Sequence, residues 1–153
     1  MRVTTRPARP DTADARQLVG ELESILAPAY PTESRHGYSV EKLIRERVAF
    51  FVVSVDDEPA ACGGVQLFGT EYAELKRMYV RPAFRGRGLG KHLVAHLCDH
   101  AAARGVTVIR LETGIWQVEA LGLYERLGFT RIAPFGPYRE DPVTVCMEKR
   151  LDA

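Results

Sequence analysis

The 153-residue sequence predicts a single α+β domain, spanning 1–153, built on a mixed β-sheet. Three observations predict it. Between Ala49 and Val80, three β-rich runs follow one another with only short turns between them, the pattern of an antiparallel meander. After Gly88, helical and extended segments alternate, which requires crossover connections and a parallel strand pair. Apolar residues make up 46% and charged residues 27%, enough for one packed core and too little charge for a disordered chain.

Val3 to Arg6 reads as a short opening strand. Asp11 or Thr12 caps a helix to about Leu26, with Leu18, Leu22, Ile25 and Leu26 on one face, and Pro28 and Pro31 end it. Residues 27–38 form a loop carrying Tyr30, His36 and Tyr38. Ser39 caps a short helix holding Leu43, Ile44 and Val48. Ala49 to Val55 is apolar and β-branched, Asp56 to Pro59 is a turn, and Ala60 to Phe68 is the second arm of a hairpin, weakened by Gly63 and Gly64.

Tyr72 to Val80 is a third strand. Strict alternation puts Ala73, Leu75, Arg77 and Tyr79 on one face and Glu74, Lys76, Met78 and Val80 on the other. Arg81-Pro82 breaks it. A helix then runs to about Arg104 with a core stripe of Leu89, Leu93, Val94, Leu97 and Ala101, and Gly105 stops it. Val106 to Glu112 is a parallel-type strand, Val118 to Leu127 a helix stopped by Gly128, Phe129 to Ile132 a short extended piece, and Val143 to Lys149 a closing strand.

Charge excludes several functions. Twenty-one basic residues meet 20 acidic ones, a net charge of +1, so there is no chain-wide basic footprint for nucleic acid. No apolar run reaches the roughly 18 residues of a membrane-spanning helix, and the N-terminus lacks a secretory signal. Cys62, Cys98 and Cys146 have no metal-binding spacing and read as reduced, partly buried thiols. These readings make the expected location cytoplasmic, with no membrane partner. His92, His96 and His100 recur every four residues on one helix, but nothing completes a metal shell, so a solvated flank and no metal are expected.

The turn Arg85-Gly86-Arg87-Gly88-Leu89-Gly90-Lys91 carries the chemistry. Glycines let backbone approach a ligand closely, and the free N–H groups and dipole of the following helix attract negative charge. Arg85, Arg87 and Lys91 add three cations, so a phosphate or diphosphate is the expected ligand. A Walker loop fails at Arg85 and His92, and a dinucleotide fingerprint fails at Lys91. The pattern [Gln/Arg]xxGx[Gly/Ala] fits with Arg85, Gly88 and Gly90.

With Leu75-Lys76-Arg77-Met78-Tyr79-Val80, this turn, and Ala120-Leu121-Gly122-Leu123-Tyr124-Glu125-Arg126-Leu127-Gly128-Phe129, the chain resembles the GCN5-related N-acetyltransferase (GNAT) family, in its small bacterial branch. The resemblance covers Val3 to Leu151. It implies a GNAT-like, mostly antiparallel sheet with helices on both faces and a splayed parallel strand pair that binds acetyl-CoA, the cosubstrate. The backbone of Met78 and Val80 would hold the pantetheine arm, and an N–H of Met78 or Tyr79 would polarise the thioester carbonyl. The amides of Arg85, Gly86, Arg87, Gly88, Leu89, Gly90 and Lys91 would take the diphosphate. Tyr124 would protonate the leaving thiolate. Gln117 stands where many relatives carry an Asn that touches the cofactor arm, and Gly122 would make room for the cofactor.

By the same resemblance Glu74 is the candidate base for the incoming amine, with Glu112 and Glu71 in reserve. Tyr30, His36, Tyr38, Trp116, Tyr138 and Arg139 lie in segments that flank the acceptor. The implied activity is acetyl transfer to a small-molecule or peptide amine. The alternatives are a non-catalytic acyl-CoA sensor of the same fold and a nucleotide-phosphate binder. By analogy with relatives, the proline-rich loop and terminal strand could supply a homodimer interface.

Overall fold

The computed structural model describes residues 1–152. Seven strands form one sheet: β1 (Val3–Pro7), β2 (Ala49–Val55), β3 (Glu58–Phe68), β4 (Tyr72–Val80), β5 (Val108–Gly114), β6 (Thr130–Ile132) and β7 (Thr144–Arg150). Their spatial order is β1-β2-β3-β4-β5-β7-β6, and every pairing is antiparallel except β4 with β5. The mixed, mostly antiparallel sheet expected from the sequence is therefore the sheet observed.

Four α-helices cover it: α1 (Ala13–Ala29), α2 (Val40–Arg45), α3 (Leu89–Ala102) and α4 (Val118–Arg126). Against one face, α1 and α2 bury Leu18, Val19, Leu22 and Leu43 on Phe50, Val52 and Cys62. Against the other, α3 and α4 bury Leu93, Leu97, Leu121 and Tyr124 on Val53, Val65, Leu75, Ile109 and Met147. Strand β2 thus faces a core on both sides, which explains its unbroken apolar run.

Local chemistry sets most boundaries. Ser39 Oγ accepts the Lys42 amide at 3.1 Å and caps α2 as expected. Asp56 and Asp57 both take positive φ, so the β2–β3 hairpin turns on two residues and Pro59 already lies in the strand. The expected stripe of α3 is buried throughout, and Gly105 follows the helix at φ +86°. Helix α1 runs past Pro28 to Ala29, further than expected. Proline lacks only its own N–H, and Tyr30 N–H still closes on the Leu26 carbonyl at 3.1 Å.

Strict alternation fails in β4. Arg77 has φ +53°, and the β3–β4 register shifts between Cys62 and Gly64. This bulge reverses the pleat. Ala73 and Leu75 share the α3 side with Met78 and Val80, whereas Tyr79 joins the α1 side, where its hydroxyl donates to Glu21 at 2.9 Å. Glu74 and Met78, expected on one face, lie on opposite faces. Gly63, read above as a weak point, is a fit: a Cβ there would stand 2.5 Å from Met78 Sδ and 3.0 Å from Leu93 Cδ2.

Candidate active site

The parallel ladder between β4 and β5 is confined to Ala73–Glu74 against Ile109–Arg110. Beyond it the strands part, and a cavity of about 270 Å³ opens between them. Leu75, Met78, Leu111, Ala120 and Tyr124 line its α3–α4 side, and Glu112, Arg35 and Arg77 line it toward the α1 side. The cavity therefore passes through the sheet from one face to the other.

The glycine turn lies after β4, at the start of α3. Gly86 (φ +78°) and Gly88 (φ +77°) have left-handed backbones, and a Cβ at either would meet nothing within 4 Å. The first helical bond is His92 N–H to the Gly88 carbonyl at 3.0 Å, so the preceding amides have no partner inside the helix. Gly90 has a different reason: a Cβ would stand 2.8 Å from Leu123 Cδ2, so glycine lets α3 and α4 approach. Arg85, Arg87 and Lys91 are exposed around this open turn. Such a turn fits a diphosphate. Replacing Gly88 with Ala should destabilise the chain by about 1–2 kcal/mol, because a Cβ opposes the left-handed backbone. The melting temperature should fall by roughly 2–8 °C, and calorimetry should show weaker coenzyme A binding.

Tyr124, on α4, is almost fully buried, lines the cavity and packs its ring 5.6 Å from that of Phe129. Burial alone pushes its phenol above the ordinary range, so it stays protonated at any working pH. Gln117 also lines the cavity, and its Oε1 accepts from Tyr30 at 3.4 Å. The Tyr30 hydroxyl accepts the Trp116 amide at 2.9 Å, and a Cβ on Gly114 would stand 2.0 Å from that oxygen. Glycine at 114 is what lets Tyr30 lie across the end of β5, with Trp116 beside it at 4.8 Å.

Glu74 and Glu112 differ in their access to the cavity. Glu74 is 2% exposed and does not line the cavity. Its Oε2 accepts from Lys76 Nζ at 2.8 Å and from the Tyr138 hydroxyl, and Lys76 reaches Tyr138 at 3.1 Å. Lys76 Nζ also sits 4.0 Å from the centre of the Tyr38 ring. This closed cluster fixes the 134–142 loop to β4. Replacing Lys76 with Met strands the Glu74 charge and should cost about 3–5 kcal/mol. Urea unfolding of that variant, and of a Glu74→Leu/Lys76→Met double variant that recovers most of the loss, checks this.

Glu112 lines the cavity, as does Glu23 of α1, whose oxygens lie 2.6 Å from Arg77 Nη2 and 3.5 Å from Arg35 Nη1. Burial, reinforced by the Glu74 charge and opposed by Lys76, pushes Glu112 up to about 7. The resemblance makes Glu74 the candidate base, and alternation supports it by placing Glu74 on the face of Met78; the Arg77 bulge breaks that alternation. Glu112 carried a weaker signal, one carboxyl two residues before the glycine that ends β5.

Tyr38 and Tyr138 belong to the Glu74 cluster, and His36 meets the Tyr138 ring edge-on at 5.4 Å. Arg139 and Glu71 do not line the cavity. The α3 histidines lie on a partly exposed flank, where half-buried His96 and His100 pack edge-on against Phe51 and exposed His92 has its Nε2 2.7 Å from Thr5 Oγ1. No metal-binding group of side chains occurs among the described residues. The three cysteines are free, buried and away from the cavity, with thiols pushed by burial to about 12 at Cys62 and about 11 at Cys98 and Cys146. No helix among the described residues is long and apolar enough to cross a membrane.

A mixed sheet that splits at its one parallel pair, with a glycine turn at the adjoining helix N-terminus, defines the class of acyl-CoA-dependent N-acyltransferases. The model of the acetyltransferase (GNAT) family matches residues 19–129, and the chain belongs to that family. It is 38% identical over 137 residues to IAA acetyltransferase of Azospirillum brasilense, covering 88% of this chain and 89% of that one. It is 35% identical over 136 residues to the uncharacterized N-acetyltransferase YsnE of Bacillus subtilis, covering 88% and 90%. A crystal structure from Klebsiella pneumoniae superimposes with a TM-score of 0.82 at 30% identity over 97% of both chains. The fold is shared at 21% identity by yncA of Salmonella typhimurium, solved with acetyl-CoA, with a TM-score of 0.70 over 100% of this chain and 96% of that one.

Proposed function

We propose that this chain transfers the acetyl group of acetyl-CoA directly to a primary amine of a small molecule or peptide within a ternary complex. The observation that carries the proposal is the cavity through the sheet, with the Tyr124 phenol on one side and the Glu112 carboxyl on the other. The cofactor enters from the α3 side. Its diphosphate lies on the Arg85–Lys91 amides and its pantetheine arm runs along the free edge of β4 at Met78 and Val80, as an added strand would. The Gln117 amide is within reach of that arm.

The amine enters from the opposite face and loses a proton to Glu112. An alkylamine has an ordinary pKa near 10.4, a handicap of roughly 4–5 kcal/mol at neutral pH, so a base poised near 7 is well matched. The nitrogen lone pair attacks the thioester carbonyl carbon while a backbone N–H of Met78 or Tyr79 stabilises the oxygen. A C–N bond forms and the C–S bond breaks. The thiolate leaves with the Tyr124 proton, and the second proton of the attacking nitrogen is released as the amide forms, restoring the phenol. No cysteine lines the cavity, so an acyl-cysteine has no candidate there, which supports direct attack.

Thiol release from acetyl-CoA over a panel of amines tests the proposal. Turnover with intersecting initial-rate lines, and no acetylated protein by mass spectrometry, is the expected result. Tight acetyl-CoA binding with no turnover on any amine would make the chain a sensor instead.

A further inference from the structure

Two guanidinium groups line the acceptor end of the cavity, Arg35 and Arg77, and they are not equivalent. Arg77 is satisfied at its buried donors. Its Nε donates to the Tyr38 carbonyl at 2.8 Å, its Nη2 to Glu23 at 2.6 Å, and its plane packs on Gly37, where a Cβ would stand 2.4 Å from Nη1. Arg35 is not. Its Nη2 donates to Thr32 Oγ1 at 2.9 Å and its Nη1 lies 3.5 Å from Glu23, which Arg77 already holds. Its Nε is buried without a partner. An unpaired buried guanidinium donor is costly, and the natural complement of an Nε–Nη edge is a carboxylate bound through both oxygens.

The wall that holds Arg35 is fixed in place. Ser34 Oγ donates to Asp141 at 2.6 Å, tying the 30–38 loop to the 134–142 loop. Glu112 lines the same cavity, as does Glu23, which the two arginines already share, so one small space holds the Glu112 carboxyl and a guanidinium with one unpartnered donor, Nε.

We infer that the acceptor is a compact zwitterion of the amino-acid class, its carboxylate bound by Arg35 while its amine faces Glu112. The inference rests on acetyl transfer taking place at this cavity. Arg35 is here a specificity-determining residue, and the cavity of about 270 Å³ suits a molecule of that size.

The test compares amino acids with their decarboxylated amines as acceptors for the full chain: alanine with ethylamine, leucine with isopentylamine, phenylalanine with phenethylamine, tryptophan with tryptamine. At least one amino acid should exceed its amine by about tenfold or more in kcat/KM. Arg35→Gln should raise KM for that amino acid on the order of tenfold and leave the paired amine within about twofold. Arg35→Lys, which keeps the charge but loses the planar fork, should fall between, and melting curves check that each variant is folded. Amines that react as well as their amino acids, or an Arg35→Gln variant with an unchanged preference, overturn the inference while acetyl transfer stands. Turnover of no amine of either kind overturns both.

Discussion

Replacing Tyr124 with Phe should lower kcat by roughly 10²–10⁴-fold, the usual contribution of a general acid. The KM for acetyl-CoA should change little, because the ring, its packing on Phe129 and the shape of the cavity all survive. The hydroxyl is the only atom lost. A fall in kcat with equal melting temperatures separates a lost proton donor from a lost core residue. Because burial raises the phenol, the wild type should show no loss of rate from Tyr124 ionisation below about pH 10. An unchanged kcat in the Phe variant would remove Tyr124 from the chemistry. A leaving group better than the coenzyme A thiolate should partly restore the rate, since it needs the acid less.

Replacing Glu112 with Gln should have the second large effect. The wild-type kcat/KM should rise with pH through about 7 as the carboxyl becomes the base, and the variant should lose that step along with roughly 10²-fold in rate. Stability should move the other way. The folded carboxyl titrates near 7 against an ordinary 4.5, so between those values the native chain holds a proton that the unfolded chain has released. Folding is therefore increasingly disfavoured as pH rises from about 4.5 to 7, and the penalty is complete above 7. Removing the charge should raise stability at pH 8 by about 1–3 kcal/mol and change it little at pH 4. A variant that is slower yet melts higher at pH 8 would mark Glu112 as a site residue held at a cost. Loss of activity with no change in the pH profile would assign the base elsewhere.

These two residues were not equally visible in the amino-acid order. Tyr124 stands inside a helical motif whose period, stop glycine and following Phe129 are all local, so its helix and its inward face could be read directly. The same holds for the Arg85–Lys91 turn, where glycine spacing and three cations point to an anion before any coordinates are known. Glu112 had no such signal. Its importance comes from the neighbours that bury it, and those arrive from β4 and from a loop near residue 140.

The order of residues by itself determined the seven-stranded sheet's main elements, the presence of a hairpin turn after Val55, the stripe of α3 and the glycine-rich turn with its three cations, because each depends on periodicity, caps or turn residues within a few positions. Tertiary structure alone decided that Glu112 lines the cavity where Glu74 does not, and that Arg35 keeps an unpartnered donor. One left-handed residue, Arg77, reverses the pleat of β4 and turns Met78 away from the face of Glu74. Ser34 meets Asp141, and Lys76 meets Tyr138, across separations of 107 and 62 residues. Contacts over such distances in the chain follow from how the core closes, and no local pattern of side chains records them.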